Sequence, residues 1–207
     1  MHDNDAPDDS GWAQALWQVP DRVDATAFWL RAALLAGLTC WGVVLIGQDY
    51  RTGEIGNAFL HGPLLVFHEA GHVIFRLFGE WMGILGGTLG QLLVPLLLAG
   101  ALLRKNHDPF GAAVAMWFLG VSLLDVAPYM YDAREPQLML LSGRTGEAGG
   151  HDWIYLFDSM RALGKARLAG GVTHKLGALN VLLSLLWGGL VLRLQHANKS
   201  GDVLHEE

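Results

Sequence analysis

The sequence predicts an all-α fold: a polytopic integral membrane helix bundle of about five transmembrane helices with a short interfacial helix. Three observations lead there. Apolar residues fill 52% of the 207 positions and charged residues only 16%, a balance that suits lipid better than water as solvent. The eight Trp fit the same setting, because indole rings favour the boundary between headgroups and hydrocarbon. Several apolar segments have the length of about 20 residues that a helix needs to span a bilayer core.

The chain opens on "MHDNDAPDDS", and Asp3, Asp5, Asp8, Asp9 and Asp21 account for much of the net charge of -6. This acidic stretch reads as a solvated tail. No basic run of nucleic-acid type appears, which excludes that class of partner. The first residues are acidic where a secretory signal would be basic. Residues 1–27 are expected to form an amino-terminal segment, 28–194 the membrane domain and 195–207 a polar tail. Spans are expected at about Phe28–Ile46, Asn57–Phe78, Met82–Leu103, Pro109–Tyr131 and Leu176–Leu194; in lipid each must be helical, since every backbone polar group needs an internal partner. A polar loop, 132–175, precedes the last span. Within it "DWIYLFDSMRAL" reads as a short helix on the membrane surface, capped by Asp152.

With five spans, Arg22, Arg31, Arg76, Arg134, Arg144, Arg161, Lys165, Arg167 and Lys175 share one side, against Arg51, Arg104, Lys105, Arg193 and Lys199 on the other. This excess predicts a plasma-type (inner) membrane protein with its amino terminus and long loop both cytoplasmic. Cys40 is the only cysteine, so an internal disulfide and a cysteine-built zinc site are both excluded.

The chemistry lies in "LLVFHEAGHVIFRLFG", residues 64–79. On a helix His68 and His72, four residues apart, project from one face and can share a metal ion. Glu69 is rotated away from them, placed to act as a base on water that zinc activates, the logic of HExxH. Ionisable groups cost several kcal/mol in hydrocarbon, so a cluster of them in a span points to function. A third ligand is needed. Asp125, in "SLLDVAPYMYDA", is the first choice because it is expected at the depth of His72; His151 in "GGHDW" is the alternative, and Asp152 could orient a ligating imidazole. Pro128 is expected to kink the helix that carries Asp125. Asp132 reads as a surface residue within possible reach of metal or substrate. His61 is discounted because Gly62 and Pro63 interrupt the helix. Gly79, Gly83 and Gly87, with Gly86 and Gly90, recur every four residues and favour close helix packing, while Gln91 could bind an unwound substrate.

"HEAGH" within a span, the Gly-rich stretch after it and "LLDVAP" in a later span together resemble, at a distance, the site-2 protease group of intramembrane zinc metalloproteases, over about Leu64–Tyr131. The resemblance implies His68, His72 and Asp125 as zinc ligands and Glu69 as catalytic base. It also implies hydrolysis of membrane-embedded protein or peptide substrates. A metal transporter or sensor that holds the same ligands without hydrolysis is the competing expectation.

Overall fold

The computed structural model describes residues 10–19 and 23–200. The predicted acidic tail (Asp3, Asp5, Asp8, Asp9 and Asp21) and residues 201–207 lie outside the described residues. The described chain forms helices α1 (Ser10–Ala15), α2 (Ala25–Gly47), α3 (His61–Phe75), α4 (Glu80–Lys105), α5 (Pro109–Asp132), α6 (Asp152–Ser159) and α7 (Ala166–Ser200), with short 3-10 turns between them.

Four helices, α2, α4, α5 and α7, are long and apolar enough to cross a membrane. The all-α membrane bundle is therefore present, with one difference in how it is threaded. The HExxH segment, expected as a full span over 57–78, folds as the 15-residue α3 followed by a 3-10 turn, Arg76–Phe78. At 1.5 Å per residue it is about 22 Å long, short of a hydrocarbon core of about 30 Å. Pro63 sits in its first turn, where the missing N–H costs nothing, so the helix begins at His61 instead of being broken there. Pro128 likewise lies inside a helix that runs on to Asp132.

The placement of α3 sets the threading. Phe28 of α2, Phe110 of α5 and Val191 and Leu192 of α7 share one apolar cluster at one end of the bundle. At the other end Tyr50, just after α2, lies 5.6 Å from the ring of Tyr131 and 4.7 Å from that of His174. Thus α2 and α5 run in one direction and α7 in the other. The start of α3 is buried halfway down: Leu60 and Leu64 pack with Trp117, Val121 and Leu124 in the middle of α5, and with Leu45 and Val181. From there α3 runs back toward the Tyr50 end, antiparallel to α4, occupying half the depth of the bundle.

Among the described residues, three full-length helices, not four, then precede the polar loop. The amino-terminal end of α2 and the loop stand at opposite ends, which corrects the expectation that they share a side. Arg51 moves to the loop end, and Arg31, paired with Asp108 at 3.6 Å, to the far end. The excess of basic residues therefore stays with the loop end alone and no longer includes the amino-terminal end of α2.

α6 forms where the short helix was expected, but its N-cap is His151, whose Nδ1 accepts from the Ile154 N–H at 3.3 Å. Asp152 is left free to point elsewhere. Trp153, Leu156 and Phe157 are buried in a cluster with Val126 of α5 and with Ile84 and Leu85 of α4, so α6 is docked on the bundle. The Trp81 indole N–H also donates to Ser159 at 3.0 Å. At residue 195, where the polar tail was expected to begin, α7 continues to Ser200, and Gln195 is fully buried.

Candidate metal centre

Glycine brings α3 and α4 together. A Cβ on Gly71 would collide with the Gly86 carbonyl, and one on Gly90 with the Phe67 carbonyl, so these two backbones touch as only small residues allow. That approach aims the polar face of α3 at α4. His72 donates its Nδ1–H to the Gly83 carbonyl at 2.9 Å. His68 faces Gln91 Oε1 with Nδ1 at 3.3 Å. Both Nε2 atoms then turn to the same point: Asp152 Oδ2 lies 3.0 Å from that of His68 and 3.2 Å from that of His72. The carboxylate of Glu69 and the two imidazoles have ligand atoms within 4.8 Å of one another.

The donor set fits a cation. A carbonyl oxygen only accepts, so His72 must carry its proton on Nδ1. The Gln91 amide is oriented from its other end, where Nε2 donates to Asp125 Oδ2 at 2.8 Å; its oxygen must then face His68, which also places a proton on Nδ1. As neutral imidazoles both rings therefore turn Nε2 lone pairs toward one carboxylate oxygen. Such an arrangement is repulsive unless a proton or a metal ion lies between them. Burial alone would push the Asp152 carboxyl up, but with protons on the two Nε2 atoms the hydrogen bonds from His68 and His72 outweigh it and hold the group below its usual value. Space is present too: a Cβ on Gly87 would stand 2.5 Å from Nε2 of His68 and 2.6 Å from that of His72. By lacking a Cβ, Gly87 thus leaves room beside both Nε2 atoms.

The expected site residues divide. Asp125 does not reach the two imidazoles directly: its buried carboxylate accepts from His61 Nδ1 at 2.8 Å and from Gln91. Gln91, 2% exposed, spends both ends of its amide inside the protein and has none left for a substrate. His151 is buried and stacked on Tyr129, with ring centroids 4.2 Å apart. Its Nε2 sits 3.3 Å from Asp132 Oδ2, within ion-pair distance but without hydrogen-bond geometry. Asp132 is buried, not a surface residue, and its other oxygen accepts from the N–H groups of Gln137 and Leu138 at 2.7 and 3.1 Å. It anchors the loop that roofs the site.

Two residues escaped sequence reasoning. His61, discounted for the Gly-Pro after it, is the partner of Asp125. Tyr129 accepts the Asp152 N–H on its hydroxyl at 2.9 Å and carries the stacked His151 ring, so it fixes the start of α6 over the imidazoles. No pattern in the sequence singled out Tyr129. Its only signal was its place four residues after Asp125, on the same face of α5.

The site forms the wall of a cavity of about 1040 Å³. The cavity is lined by His61, His68, Glu69, His72 and Asp125 and by residues of the segments 52–57 and 138–150. The loop side carries a hairpin turn in which Leu140 and Arg144 pair through the backbone at 2.9 Å. Along α4, Gly87 lies seven residues from the helix start, about 10 Å below the loop end. The chain matches no protein-family model, no curated protein and no solved structure.

Proposed function

We propose that the protein is an intramembrane zinc metallopeptidase that hydrolyses peptide bonds of membrane-embedded substrates. The observation that carries this is the convergence of two Nδ1-anchored imidazoles on a space that Gly87 leaves open, with a glutamate beside them at the wall of a cavity. His68 and His72 would hold the metal, and two imidazoles with carboxylate oxygen suit zinc better than magnesium. Bound zinc supplies a Lewis acid that polarises a carbonyl and acidifies water.

The chain's own residues do the rest. Glu69, exposed to the cavity, takes a proton from the attacking water as its oxygen bonds to the peptide carbonyl carbon. It passes that proton to the nitrogen as the C–N bond breaks. Gly83 and Gln91 hold the imidazoles in one tautomer through both steps. The cavity is large enough for an extended segment, and its polar wall and loop roof admit water from the loop end.

The competing role, metal transport, needs a polar path through both leaflets. Below His61 and Asp125 the bundle is filled by Leu38, Trp117, Val121 and Val181, which disfavours such a path. The test is zinc content by elemental mass spectrometry on detergent-purified protein. It is paired with mass-spectrometric detection of cleavage in a library of transmembrane peptides reconstituted with the protein in liposomes. One zinc per chain, retained in Glu69→Gln and lost in His72→Ala, with cleavage by the wild type alone, is expected. Folded wild type that takes up no zinc, or a zinc-loaded wild type that cleaves nothing Glu69→Gln leaves intact, would sink the proposal.

A further inference from the structure

We infer that Asp152, brought in by α6, is the third protein ligand to the metal, and that Asp125 is a positioning residue that acts on His68 through Gln91. This rests on the zinc reading above and assigns the two aspartates different tasks within it.

Ligand spacing supports the first half. Nitrogen and oxygen atoms bound to tetrahedral zinc at about 2.0–2.2 Å lie about 3.3 Å from one another. Asp152 Oδ2 already stands 3.0 and 3.2 Å from the two Nε2 atoms. A single ion at their common centre would turn three mutually repelling lone pairs into three bonds. Asp152 is also held in place before any metal arrives. Its N–H is tied to the Tyr129 hydroxyl, His151 caps the helix it starts, and Trp153, Leu156 and Phe157 bury α6 against α4 and α5. Gly149 and Gly150, at φ 96° and 84°, occupy backbone conformations that favour glycine, and they turn the chain into the site.

Connectivity supports the second half. Both oxygens of Asp125 are engaged, one by His61 and one by Gln91, and Gln91 stands between Asp125 and His68. The carboxylate compels the Gln91 N–H2 group to face it. The amide oxygen is thereby turned to His68 Nδ1, and the Nε2 lone pair to the metal. Removing Asp125 frees the amide to flip, which would present N–H to Nδ1 and move the His68 proton onto Nε2, where no metal can bind.

The test uses full-length protein in detergent loaded with Co²⁺, comparing Asp152→Cys with Asp125→Cys. A thiolate bound to cobalt gives a charge-transfer band in the near ultraviolet. The wild type, whose single Cys40 is exposed on α2, supplies the baseline. The band is expected in Asp152→Cys and absent in Asp125→Cys. Zinc affinity, measured by chelator competition on variants that keep wild-type helicity, covers a cysteine variant that does not fold. Asp152→Asn should lose more affinity than Asp125→Asn, whose loss should be the 10–100-fold typical of groups that orient ligands. Asp125→Asn should add nothing once Gln91→Leu is present, because both act on one bond. A band in Asp125→Cys, undiminished affinity in Asp152→Asn, or additive effects of Asp125→Asn and Gln91→Leu would overturn the assignment. Wild type that binds neither ion would instead remove the zinc reading, and this inference with it.

Discussion

Glycine closes two helix seams in this protein, and they serve opposite ends. Between α5 and α7, Gly120 and Gly177 press backbone on backbone: a Cβ on Gly177 would come within 2.8 Å of the Gly120 carbonyl. The neighbours there are Leu124 and Val181, both fully buried. Between α3 and α4, Gly71, Gly86 and Gly90 do the same, but the next positions along are His68, His72 and Gly87. The small-residue device is common to both seams. What lies one helical turn away decides whether close approach produces a dry core or a site with room for an ion.

The contrast is broken most completely at Gly87. Gly87→Ala places a methyl group where both Nε2 atoms converge, so zinc per chain should fall from one to none, and peptide cleavage with it, while circular dichroism stays helical. Glu69→Gln separates binding from chemistry at the same seam. Zinc should stay, and cleavage should fall by about 10²–10⁴-fold, the range supplied by a general base. Gly120→Ala is the counterpart across the molecule. Overpacking against the α7 backbone should cost about 1–3 kcal/mol in thermal or denaturant unfolding, with zinc per folded chain unchanged. The smallest effect is expected at Asp108, which caps α5 by accepting from the Gly111 N–H at 3.1 Å. Asp108→Ala should cost about 1 kcal/mol in unfolding, also without loss of zinc. Zinc loss in Gly120→Ala or retention in Gly87→Ala would show that the two seams are not separable in this way.

Much of the site was readable from "HEAGH", because ligand spacing on one helix is a local property: residues four apart share a face wherever the helix lies. Asp125 was expected from its depth to be the third ligand, but it meets His61 and Gln91 instead, because depth along a helix says nothing about which neighbour a side chain meets. Gln91 intervenes between Asp125 and His68, and only the packing of α4 between α3 and α5 puts it there. Asp152 stood in view in "GGHDW", but its approach depends on the docking of α6, which joins residues 84 positions apart in the chain.

By itself the sequence determined the helical class, four of the five expected spans and the pairing of His68 with His72, since hydropathy over about 20 residues and a 3.6-residue period are both short-range quantities. Tertiary structure decided the rest. Whether α3 crosses the bundle depended on where its first turn was buried, against the middle of α5, and that reversed the end on which the loop emerges relative to α2. Which carboxylate meets the imidazoles depended on glycine contacts and on an apolar helix face finding α4 and α5, interactions between segments far apart in sequence that no local pattern encodes.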